Sequence, residues 1–170
     1  TSGRILFDGV EVVLPPDGEA EKLGIVLIHQ ELNLAEQMTV EENIFLGREL
    51  TSRGILQRDE MREKVRGYLS DIGVDISPST RISELSIAEK QMVEVAKAIS
   101  RNARVLIMDE PTAVLTEAET ELFFRQVERL KSKGVAIVFV SHKLSEVKQI
   151  ADRVTILRDG QWIGSQEAKA

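Results

Sequence analysis

Residues Arg104 to Thr112, RVLIMDEPT, constrain this chain more than any other stretch. A compact apolar run, Val105 to Met108, ends in two adjacent carboxylates, Asp109 and Glu110, and then in Pro111. Proline has no N–H to donate, so a central strand does not simply continue through it. The run reads as a buried parallel strand that delivers two acids to the carboxyl edge of a sheet, the edge where open α/β sheets bind ligands. The same residues also describe a buried strand running into an acidic turn.

Two further apolar runs have strand length, Gly24 to Ile28 (GIVLI) and Val135 to Val140 (VAIVFV). Each runs into polar residues, His29-Gln30-Glu31 after the first and Ser141-His142-Lys143 after the second. Helical patterns fill the spaces between. Thr39 and Glu42 have the spacing of a capping box and open a short helix through Ile44, Phe45 and Leu46. Gly47 and the Thr51 to Gly54 region read as a loop. Asp59 is expected to cap a longer helix with Met61, Val65, Leu69 and Ile72 on one face, ended by Gly73.

Ser86 and Glu89 repeat the capping-box spacing ahead of Val93, Ala96 and Ile99. That segment is a well-capped helix, or a helix whose first N–H groups also take an anion. Thr116 is expected to cap a helix containing Leu122, Phe123, Val127 and Leu130, and another helix runs through Leu144, Val147 and Ile150. Asp8-Gly9 and Asp159-Gly160 mark hairpins, and Pro15, Pro16 and Gly18 mark a loop. The order argues a mostly parallel sheet with covered faces, hairpins at an edge or in a separate sheet, and a helical insertion from about residue 39 to 84.

Composition excludes several chemistries. The 170 residues include no cysteine, which removes disulfides, thiolate metal sites and cysteine nucleophiles. The net charge of -6 argues against a nucleic-acid surface, which needs a basic patch. No apolar run approaches the roughly 20 residues of a membrane span. The chain opens on Thr1 rather than Met, so the natural N-terminus is expected to lie upstream.

Parallel strands bring their carboxyl ends to one edge. Gln30, Asp109, Glu110 and His142 collected there suit a nucleoside triphosphate site with a metal. One acid holds Mg²⁺, directly or through water, while the other orients or deprotonates a water molecule. With these residues in this order, the chain resembles the nucleotide-binding domain of ATP-binding cassette (ABC) proteins. RVLIMDEPT matches the Walker B segment, LSIAEKQ sits at the signature sequence, IHQ matches the Q-loop and VSH the switch histidine. TVEENIFLG, LSIAEKQMVEVAKAIS and DEPTAVLT look most like importers of simple sugars such as ribose, galactose or xylose, specifically the first of two fused cassettes.

The resemblance implies a P-loop NTPase-like α/β fold in which residues 1–38 carry the Q-loop, 39–84 form a helical subdomain, and 85–170 carry the signature helix, Walker B, D-loop and switch histidine. It implies ATP and Mg²⁺ as ligands. Asp109 and Gln30 would support Mg²⁺, Glu110 would polarise the attacking water, and His142 would contact the γ-phosphate. Ser86, Ile87, Ala88 and Glu89 would face the ATP of an opposite cassette, with residues 113–116 as the D-loop. The implied partners are a second cassette (fused or dimeric), transmembrane permease subunits and, indirectly, a periplasmic or extracellular sugar-binding protein, but no nucleic acid. The implied location is peripheral, on the cytoplasmic face of the membrane.

Two departures qualify the resemblance. The signature usually reads LSGGQ, and here Ile87 and Ala88 replace both glycines while Glu89 replaces the glutamine. Paired glycines allow close backbone approach to phosphate, so that half-site is expected to be altered. In addition, the 170 residues contain no G-x-x-x-x-G-K-[ST], hence no Walker A loop. The opening TSGRILFDG resembles the segment just beyond the P-loop helix. The expectation is a cassette that lacks its N-terminal strands and P-loop and is inactive alone. The alternative is a degenerate or non-transport cassette with a regulatory or scaffold role, against which the retained Glu110, His142 and Gln30 argue.

Overall fold

A computed structural model describes residues 3–13 and 19–168; the loop expected around Pro15, Pro16 and Gly18 lies outside them. Strands β1 (Ile5–Phe7) and β2 (Val10–Val12) form the first expected hairpin. Its central residues Asp8 and Gly9 have φ of 51° and 78°, the left-handed pair that a tight hairpin turn demands. One short helical turn, α1 (Glu19–Lys22), precedes β3 (Ile25–Ile28).

The helical region follows. Helix α2 (Val40–Phe45) starts on Thr39, and both hydrogen bonds of its capping box with Glu42 are present. The Thr51–Gly54 region is not a plain loop. Strands β4 (Thr51–Ser52) and β5 (Ile55–Leu56) pair across Arg53-Gly54, whose positive φ values close a two-residue turn. Helix α3 (Arg58–Ile72) also departs from expectation: its cap is Gln57, without a side-chain bond, and Asp59 lies inside the first turn. Its inner stripe is the expected one, Met61, Val65, Leu69 and Ile72, and Gly73 ends it in the left-handed region. A 3₁₀ turn (Ile82–Glu84) leads into α4 (Ile87–Ile99). The two ends of this region meet: Thr39 bridges Arg81, the Val40 N–H donates to Thr80 O, and the Ile82 N–H donates to Met38 O.

Strand β6 (Val105–Asp109), helix α5 (Glu117–Ser132), strand β7 (Ala136–Val140) and helix α6 (Leu144–Ile150) complete the α/β part. Strands β8 (Arg153–Arg158) and β9 (Gln161–Glu167) form the second hairpin around Asp159-Gly160. Each hairpin is its own two-stranded sheet, while β3, β6 and β7 form a three-stranded parallel sheet in that order. Ile28 pairs with Met108, which pairs with Phe139, so the three strands end within one residue of one another. Gly24 sets the start of this frame. Its carbonyl accepts from the Arg104 and Val105 N–H groups, and a Cβ at its φ of +76° would lie 2.9 Å from the Asn102 carbonyl.

The core lies on one face of that sheet. Val26, Ile28, Leu106 and Met108 pack with Val93 and Ala96 of α4 and with Phe123, Phe124 and Val127 of α5. Phe124 meets Phe139 edge-on, with centroids 5.8 Å apart. The expectation of covered faces fails on the other side. Alternate side chains point away from the helices, leaving Leu27, Val138 and Val140 46–48% exposed. A run apolar at every position reads as buried on both faces, but here only every second residue is enclosed.

Candidate functional site

The nearly level strand ends bring the expected residues to one edge. Asp109 is the last residue of β6, opposite Val140 of β7, and is exposed. Pro111 follows two residues later and the strand does not continue. Gln30 lies two residues beyond β3, also exposed, and no hydrogen bond among the described residues ties its amide to the acids. The closest contact of the site joins the other two. Nδ1 of His142 lies 2.7 Å from Oε1 of Glu110, across 32 residues of sequence. An ionised carboxylate only accepts, so this contact places the proton on Nδ1 and leaves Nε2 as the open nitrogen.

Glu110 is held by its backbone as well. Its φ is 45°, its N–H donates to Val140 O at 3.0 Å, and its carbonyl accepts from the Ala113 N–H at 3.1 Å. This turn lifts the Glu110 side chain out of the strand line and toward β7. Residues 113–116 continue it as a short connection, with Val114 exposed and Thr116 capping α5.

Ser86, Ile87, Ala88 and Glu89 stand at the start of α4, and no hydrogen bond or ion pair among the described residues joins them to the strand-end group. The Ser86 N–H donates to Glu89 Oε2 at 2.8 Å and the Glu89 N–H to Ser86 Oγ at 3.3 Å. These two donors are therefore already satisfied, and the Glu89 carboxylate sits where an anion would approach the helix start. Ile87 is exposed at the tip. The segment that follows Gln30 is tethered to this helix and to the 3₁₀ turn before it. Lys90 Nζ reaches Glu36 at 2.7 Å, Lys97 Nζ donates to Asn33 O at 2.9 Å, and the Ser83 N–H donates to Glu36 O at 3.0 Å.

Sequence reasoning missed one group of residues beside the site. Glu146, in the first turn of α6, is buried and accepts from the hydroxyls of Thr112 and Ser141 at 2.7 and 3.0 Å. Lys143 Nζ adds an ion pair at 3.0 Å. The S-H-K-L-S-E segment carries a hint of this, since Lys143 and Glu146 are one helical turn apart, but Thr112 is 34 residues away.

The donor chemistry of the edge fits Mg²⁺. Among the described residues no group of three or more His, Cys, Asp or Glu is placed to hold a metal ion by itself. Mg²⁺ does not need such a cage, because it binds through one or two carboxylates and completes its shell with water and substrate phosphate. Asp109, exposed and free of an ion pair among the described residues, has that character.

Comparison with known proteins places these features among relatives. The family model described as ABC transporter matches residues 1–113. The chain is 45% identical over 168 residues to the xylose import ATP-binding protein XylG of Photobacterium profundum, covering 99% of this chain and 33% of that protein. It is 49% identical over 168 residues to a ribose import ATP-binding protein, RbsA 1, of Rubrobacter xylanophilus, covering 99% of this chain and 34% of that protein. The chain thus spans about a third of the length of the curated relatives it matches. Among solved structures, cbiO1 from Clostridium perfringens, part of the ABC transporter complex cbiONQ, superposes with a TM-score of 0.82 at 27% identity, over 99% of this chain and 67% of that one.

Proposed function

Because this chain belongs to the ABC transporter family, we propose that it forms part of an ATP-hydrolysing subunit that energises the import of a simple sugar across a membrane. Its fold is the α/β cassette of that family. The observation that carries the reading is the Glu110–His142 pair, 2.7 Å apart at the carboxyl edge of a parallel sheet, with Asp109 beside it. Identity of 45% and 49% to xylose and ribose import ATP-binding proteins supports the sugar class.

In this reading each residue has one task. Glu110 orients the attacking water and receives its proton; one of its oxygens is engaged by His142 and the other is left for water. A phosphate oxygen only accepts, so His142 meets the γ-phosphate of ATP through Nε2 with a proton taken up there, its Nδ1–H staying on Glu110. Asp109, with the Gln30 amide, would hold Mg²⁺, which when bound neutralises charge on the phosphates. Ser86, Ile87, Ala88 and Glu89 present their turn to the ATP of a second cassette, and residues 113–116 lie between the two sites. The division into 1–38, 39–84 and 85–170 is supported by the meeting of Thr39 with Arg81 at the neck of the middle part. The partners are a second cassette, transmembrane permease subunits and, indirectly, a sugar-binding protein. The subunit sits peripherally on the cytoplasmic face; no helix among the described residues is long and apolar enough to cross a membrane.

The test is a chimera in which this chain replaces the matching segment of the Rubrobacter xylanophilus relative. Phosphate release is expected, and Glu110→Gln is expected to lower it by about 10²- to 10⁴-fold, the usual weight of a general base. A folded chimera that hydrolyses nothing would overturn the reading and favour a regulatory or scaffold role. Alone, the 170 residues contain no phosphate-cradling G-x-x-x-x-G-K-[ST] loop. They are therefore expected to show neither tight MgATP binding nor turnover. Nanomolar-to-micromolar binding in titration calorimetry would contradict that expectation.

A further inference from the structure

The β6–β7 ladder stops just short of the residues it has to align. Its last backbone bond near the site runs from the Glu110 N–H to Val140 O, two residues before His142. Beyond that point one buried side chain takes over. Glu146, 7% exposed, accepts at Oε2 from Thr112 Oγ1 at 2.7 Å and from Ser141 Oγ at 3.0 Å. Lys143 Nζ lies 3.0 Å from its Oε1 and 3.3 Å from the Thr112 carbonyl, and the Lys143 N–H donates to Ser141 Oγ at 3.1 Å. Thr112 follows Glu110 by two residues, and Ser141 is the neighbour of His142. A single carboxylate therefore ties the turn after β6 to the turn after β7.

We propose that Glu146 is a positioning residue for the Glu110–His142 pair, setting the separation of carboxylate and imidazole through Thr112 and Ser141. Burial by itself would push the Glu146 carboxyl up. The hydrogen bonds from Thr112, Lys143 and Ser141, with the Lys143 charge, outweigh it and hold the group below the ordinary glutamate value of 4.5. An ionised carboxylate only accepts, so both hydroxyls must point at it, and the network has one arrangement. The inference rests on Glu110 and His142 acting as the water- and phosphate-facing groups. Its test reads their geometry without nucleotide, so either idea can fail alone.

The test is nitrogen-15 NMR of the imidazoles, which reads which ring nitrogen carries the proton. His29, the other of the two histidines in the sequence, serves as reference. A free imidazole in water favours the Nε2–H tautomer, whereas the contact with Glu110 demands Nδ1–H. In the unaltered chain His142 is expected as Nδ1–H. In Glu146→Gln and in Thr112→Val it is expected to lose that signature and revert to Nε2–H, with the spectrum of the β8–β9 hairpin unchanged. A merely structural Glu146 would lower the melting temperature and leave the tautomer alone. If Glu146→Gln does not fold, Thr112→Val, which keeps the side-chain shape, decides the question. Persistence of Nδ1–H in the folded variants, or its absence from the unaltered chain, overturns the proposal.

Discussion

Glu110 adopts a φ of 45°, a left-handed backbone that side chains other than glycine rarely take. The surrounding bonds to Val140 and Ala113 hold it there. Strain of this kind costs about 1–3 kcal/mol and gathers where function needs a side chain aimed off its natural line. Glycine at this position removes the strain but also loosens the unfolded chain and forfeits the His142 contact. Glu110→Gly is therefore expected to leave stability unchanged or raise it by up to about 1 kcal/mol in urea unfolding. A loss greater than about 2 kcal/mol would show that the turn is unstrained. Leu106 is the opposite case, fully enclosed in the central strand. Leu106→Ala should cost about 2–5 kcal/mol, because the cavity it leaves cannot be filled by neighbours fixed in the sheet.

Helices α2, α4 and α5 each begin on a complete capping box, Thr39–Glu42, Ser86–Glu89 and Thr116–Glu119. The sequence announced the first two in full and Thr116 as a cap, because a box needs only two residues three positions apart. Ser86→Ala is expected to destabilise the fold by about 0.5–2 kcal/mol in thermal or urea unfolding. The backbone N–H of Thr39 holds Glu42, and that of Thr116 holds Glu119, below the ordinary glutamate value of 4.5. A depressed folded value means that the unfolded chain binds the proton more readily. The stabilisation is thus fully present above about pH 4.5 and is lost as pH falls through the lower folded values. The urea midpoint should fall below that pH, and the double variant Glu42→Gln/Glu119→Gln, whose amides still cap, should show a shallower fall. An unchanged acid limb would remove these carboxylates as its cause. Helix α3 was harder to delimit, since Gln57 makes no side-chain cap and Asp59, the better capping residue, lies within the first turn.

At the scale of the whole molecule, the three-stranded sheet has two edge strands, β3 and β7, and one apolar face with Leu27, Val138 and Val140 in solvent. Unpaired edges and apolar patches of this kind drive association. Sedimentation velocity of the 170-residue chain should show mass rising with concentration, and Leu27→Lys/Val138→Lys should suppress the rise without changing the far-ultraviolet spectrum. A monodisperse monomer that unfolds cooperatively at all concentrations would contradict this. The sequence by itself determined what is local. Asp-Gly turns, capping boxes, the α3 stripe and the three apolar runs each depend on residues a few positions apart, whose backbone preferences act before any tertiary contact forms. It also located Gln30, Asp109, Glu110 and His142 at strand ends. Tertiary structure alone decided the β3-β6-β7 order and which face of the sheet stays open. It also decided that Glu146 meets Thr112. Those outcomes depend on contacts between distant segments, and the energy of such contacts is set by packing that no spacing along the chain encodes.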